Sequence, residues 1–131
     1  MHRIAALPFA AAGLLMLAMQ PVLAADAAKE IATAGAHAGM AAAAGDMKMV
    51  QAHLHHVLNC LEGPTGMDYD AAQANPCKDQ GLGAIPDSDA AAKTPLESAV
   101  TLAKSGLAET DMAKAKEHAA EAQAAIKKAG M

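Results

Sequence analysis

The sequence predicts an all-α protein: an antiparallel four-helix bundle made of two helical hairpins, with a disulfide-stapled central loop. Three observations predict it. Alanine, the strongest helix former, dominates the apolar residues. No segment carries the β-branched or aromatic alternation of a strand. Two cysteines, Cys60 and Cys77, flank part of a stretch rich in proline and glycine that separates two helical halves.

The first 24 residues read as a signal peptide. Arg3 supplies the positive start, Ile4 to Met19 is apolar, Pro21 breaks the run, and Val22-Leu23-Ala24 offers small residues for cleavage. The apolar run is short for a membrane span, so no stable membrane insertion is expected once the signal is removed. Residues 25–131 then form a single domain, with a hairpin at 26–62, a loop at 63–93 and a hairpin at 94–129.

The first helix is expected from about Asp26 to Ala44. Gly45 interrupts, and Asp46 is placed to cap the second helix, which runs to about Leu61 before Gly63-Pro64. The third has a capping-box signature, with Thr94 as cap, Pro95 at the first helical position and Glu97 closing the box. It ends between Gly106 and Glu109, and Thr110 or Asp111 caps a fourth helix that reaches Ala129. The loop contains Pro64, Pro76 and Pro86, and a short helical turn is expected over Asp68 to Ala74. At an offset of 65 residues, Ile31, Ala34, Ala38, Asp46, Met47, His53 and Leu61 fall on Leu96, Ala99, Ala103, Asp111, Met112, His118 and Ile126. This suggests related hairpins.

A loop this long needs a tether. An exported chain meets oxidising conditions, so Cys60 and Cys77 are expected to pair. Closing such a loop stabilises by about 3 kcal/mol in the chain-entropy model. With few large apolar side chains, the core needs that contribution.

Without Arg3, nine lysines face fourteen acidic residues, a net charge of −5. No nucleic-acid partner is expected, because phosphate binding needs a basic face. Tyr69 is the one aromatic ring after the signal, so base stacking has no platform. No Gly-rich phosphate loop and no Cys-x-x-Cys-His haem attachment occurs. Ser88, Ser98 and Ser105 have no supporting His and Asp pattern, and the chain is not expected to be an enzyme.

The densest chemistry is the run His53-Leu54-His55-His56-Val57-Leu58-Asn59-Cys60. At about 100° per residue, Met47, Val50, Leu54, Val57, Leu58 and Leu61 share a core face. Met49, His53, His56 and Cys60 form a second stripe on its flank, while His55 lies on the opposite side. His53 and His56, one turn apart, can share an ion. Imidazole suits copper, zinc and nickel, and the thioether of Met49 favours Cu(I), so copper is the first expectation. His55 and His118 are further candidate ligands, whereas His37 reads as a non-ligand. Such a site should weaken in acid, where protons compete for imidazole.

The chain resembles the small metal-binding proteins of the bacterial periplasm. The resemblance rests on Ala99 to Lys127, with Gly106, the turn into Asp111 and Glu117-His118-Ala119-Ala120-Glu121-Ala122, and more loosely on His53, His55 and His56. It implies a short helical bundle that binds divalent metals, notably copper, through many histidines. Five histidines after residue 24 are few for a high-capacity sponge, so one localised site is the better expectation. The function expected is periplasmic, non-enzymatic binding of a late transition metal through the second helix. The alternative is a periplasmic interaction or stress module with an unidentified protein partner. Its contact residues would be Met67, Tyr69, Leu82 and Ile85 of the loop.

Overall fold

The computed structural model describes residues 25–131; the expected signal peptide lies outside them. Among the described residues the chain is all-helical, with no strand. The helices are α1 (Ala27–Ala43), α2 (Met47–Glu62), α3 (Ala84–Asp87), α4 (Ala90–Ala108) and α5 (Met112–Ala129). Helix α1 packs against α2 and α5, and α4 packs against α5 and α2. No helix of the described residues is long and apolar enough to cross a membrane.

Aspartates begin all four long helices. The side chains of Asp26, Asp46, Asp89 and Asp111 accept from the backbone N–H of Lys29, Met49, Ala92 and Lys114, at 3.0, 2.8, 3.0 and 3.1 Å. Each satisfies a donor that has no partner inside its helix. The capping box expected at Thr94 does not form. Asp89 captures the N-terminus first, α4 starts at Ala90, and Pro95 falls inside the helix. Proline has no N–H to offer the carbonyl of Ala91. Ala91 is exposed, so water can serve that carbonyl instead.

The core is thin and alanine-lined. Ala34, Ala38, Ala41, Ala99, Ala103, Ala115, Ala119 and Ala122 are all fully buried, around Leu54, Leu61, Leu96 and Ile126. Alanine lets helices approach closely. On α1, the missing side chains of Gly35 and Gly39 leave room for Ile126 and Gln123 of α5. The expected core face of α2 is buried at Val50, Leu54, Val57, Leu58 and Leu61, with Met47 half-buried.

The 65-residue correspondence extends to burial. Residues 31, 34, 38, 41, 50, 54, 57 and 61 are buried, and so are 96, 99, 103, 106, 115, 119, 122 and 126. Asp46 and Asp111 are both N-caps.

The central segment is tied down along its length. The Cys60–Cys77 disulfide joins it to α2. Buried Asn59 accepts from the N–H of Asp70 at 2.9 Å and donates to the carbonyls of Asp70 and Ala74, each at 3.0 Å. Glu62 accepts from the N–H of Asp68 at 2.7 Å. The N–H of Asp26 donates to the carbonyl of Gln80 at 2.9 Å. Of the helical turn expected over 68–74 there is one hydrogen-bonded turn, Gln73 N–H to the carbonyl of Asp70 at 3.1 Å, and no helix, because Asn59 and Glu62 draw the backbone groups of this stretch inward to α2. The segment's one helix is α3. Where it returns to α2, Gly63 has φ 68° and Gly83 has φ 127°. A Cβ on Gly63 would strike the carbonyl of Leu82, and one on Gly83 would press on the carbonyl of Glu62. Glycine is required at both positions.

Candidate metal centre

Three histidines converge in the crevice between α1 and α2. His37 comes from α1, and His53 and His56 come from successive turns of α2. Each offers a ring nitrogen within 4.8 Å of the other two. Nδ1 of His37 lies 3.2 Å from Nδ1 of His53 and 3.4 Å from Nδ1 of His56. The ring centroids are 5.0–5.6 Å apart, with planes inclined at 43–89°, so the rings are tilted or T-shaped to one another rather than stacked.

Local sequence explains the convergence. The link Ala44-Gly45-Asp46 folds α2 back along α1, and His37 and His53 lie eight residues either side of Gly45. They therefore stand at the same height. Ala38 and Ala41 keep α1 close to α2.

The spacing suits a metal ion. Metal–nitrogen bonds of about 2.0–2.1 Å in tetrahedral geometry place ligand nitrogens roughly 3.3 Å apart. The same spacing serves the imidazoles poorly without a cation. Each Nδ1–Nδ1 contact accommodates a single proton, and protonating two of the rings sets positive charges against each other. Burial, and then the neighbouring charges of His56 and His53, lower the His37 pKa to about 4. Burial, then His53 and His55, also lower that of His56. Rings kept neutral near neutral pH have lone pairs free for a cation. The three side chains are half-buried.

The other sequence candidates are placed differently. His55 is outside the group, with Nδ1 at 3.6 Å from Oδ2 of Asp70. His118, on α5, is also outside it. Its Nε2 lies 3.6 Å from Glu109 and its Nδ1 3.4 Å from Glu121. These contacts are ion pairs only when the rings are protonated. Met49 is exposed at the start of α2, on the stripe that contains His53 and His56. Cys60, the last member of that stripe, is held in the disulfide and is not a thiolate ligand. His37, read from the sequence as a non-ligand, is the residue that joins the two α2 histidines. The symmetry of His37 and His53 about Gly45 was the available signal, once a hairpin is assumed there.

No family model, no curated protein and no solved structure matches the chain. The resemblance to periplasmic metal-binding proteins thus reaches only to helical character and a histidine group able to hold a metal ion.

Proposed function

We propose that this is an exported, non-enzymatic metal-binding protein. It holds one late transition-metal ion at His37, His53 and His56, for buffering or delivery in the periplasm. The observation that carries the reading is the Nδ1 geometry, 3.2 and 3.4 Å from His37 to its two partners, which matches the edge of a nitrogen-ligand tetrahedron. Copper is the first choice, with zinc and nickel next, because imidazole serves all three and copper(II) binds it most strongly. The disulfide fits an oxidising compartment. In this reading α1, α2, α4 and α5 form an antiparallel four-helix bundle, the scaffold on which facing helices commonly build metal sites.

Competition titration of residues 25–131 with Cu(II) and Zn(II) tests the proposal. Tight one-to-one binding is expected. It should be lost in a His37→Ala/His53→Ala/His56→Ala variant and retained in His55→Ala and His118→Ala variants. Equal binding by the triple variant would sink the triad as the site.

A second reading, as a docking module, draws on Met67 and Leu82 of the central segment, which are 96% and 68% exposed. Under it, the triple histidine variant would keep its function, and Met67→Ser/Leu82→Ser would lose a protein partner.

A further inference from the structure

Two exposed methionines stand beside the histidine triad. Met40 follows His37 by three residues on α1, and Met49 precedes His53 by four on α2. They are 42% and 45% exposed. At these helical spacings each Cβ lies about 5–6 Å from that of its histidine, on the neighbouring turn. Helix α1 runs toward the Ala44–Asp46 link and α2 runs away from it, so both methionines fall on the link side of the triad. A thioether gains stability from burial, and core packing does not account for this exposed pair.

The second hairpin supplies an internal control. Its core repeats that of the first at an offset of 65 residues, yet the chemistry does not. His37, Met40, Met49 and His56 correspond to Leu102, Ser105, Lys114 and Glu121. Of the five positions in question, only His53 keeps its type, as His118. The second hairpin thus keeps one imidazole of the triad, at His118, and although its Met112 is exposed it has no methionine at the positions that match Met40 and Met49.

We propose that Met40 and Met49 are thioether ligands that extend the triad into a mixed histidine–methionine site for Cu(I). The proposal rests on the triad reading above. Thioether sulfur is a soft ligand that favours Cu(I), whereas Zn(II) gains little from it. The methionines therefore set metal preference, and the histidines set binding itself.

The test is anaerobic Cu(I) competition against bicinchoninate, with Zn(II) titration alongside, on residues 25–131 and a Met40→Leu/Met49→Leu variant. Leucine preserves volume at exposed positions, so the helices should be unaffected. Cu(I) affinity is expected to fall roughly tenfold or more, with Zn(II) affinity unchanged within about twofold. X-ray absorption of the Cu(I)-loaded parent should show a sulfur shell that the leucine variant lacks. If the leucine variant keeps the parent's Cu(I) affinity while the triple alanine variant loses both ions, the methionine proposal is overturned and the triad stands. If parent and triple alanine variant bind both ions equally, both proposals are overturned.

Discussion

His37 and His53 face each other across two helices with their Nδ1 atoms 3.2 Å apart, a contact that tolerates at most one proton between the two nitrogens. Burial and two neighbouring rings hold the His37 pKa near 4, against an ordinary value of 6.5. Because the folded value is depressed, the stability this ring contributes is complete above pH 6.5 and is lost as pH falls through 4. In metal-free protein, NMR titration should find His37 neutral at pH 5.5. A midpoint at or above 6 would contradict the buried, crowded environment. Metal affinity should decline in acid, as protons compete for the three nitrogens.

Glu30 should give the opposite pH dependence. Its side chain is fully buried; Oε1 accepts from the N–H of Gly83 at 2.9 Å, while Oε2 lacks a donor. The Asp87 carboxyl adjoins it, and such a pair hydrogen-bonds only when it holds a proton. Burial above all, opposed by the Gly83 bond and reinforced by Asp87 and Asp26, raises the Glu30 pKa to about 7 from 4.5. The stabilisation is therefore full below 4.5 and is lost as pH rises through 7. Glu30→Gln imitates the protonated form, accepting from Gly83 and donating to Asp87. Its melting temperature should gain on that of the parent between pH 5 and 8. A constant difference across that range would refute the assignment.

Asn59 and the disulfide hold the same segment by different means, and their losses should differ in kind. Asn59→Ala leaves the N–H of Asp70 and the carbonyls of Asp70 and Ala74 without the partner they have now. The cost is on the order of 2–3 kcal/mol. Thermal melts should register a drop of roughly 10 °C or more for a domain of this size. Cys77→Ser removes a constraint on the unfolded chain and should destabilise by about 3 kcal/mol. Hydrogen exchange separates the two. Amides of residues 68–74 should lose protection in Asn59→Ala under native conditions. Unchanged protection there would mean that Asn59 does not hold the loop.

Much of the helical framework was legible because its determinants are local. Asp46 and Asp111 cap helices where the sequence placed them, and the core face of α2 follows from residue spacing alone. Cys60 and Cys77 are paired as their composition and expected compartment suggested. Where two local signals competed, the sequence misled. Thr94, Pro95 and Glu97 form a good cap signature, but Asp89 lies upstream and propagation through Ala90–Lys93 is favourable enough to absorb the proline. Asn59 gave no warning of its role, because its partners are backbone groups eleven to fifteen residues away.

The sequence by itself determined that the chain is helical, that three of its long helices begin at or beside Asp26, Asp46 and Asp111, and that His53 and His56 share a stripe. These follow from the pitch of one helix. Tertiary structure alone decided that His37 joins that stripe and that His118 does not, whereas helical spacing had already set His55 on the other side. A metal site needs nitrogens within a few ångströms of one centre, and two residues on one helix cannot surround an ion. The third direction comes from a second helix, and its height and facing are set by the link at Gly45 and by alanines small enough to bring α1 and α2 together.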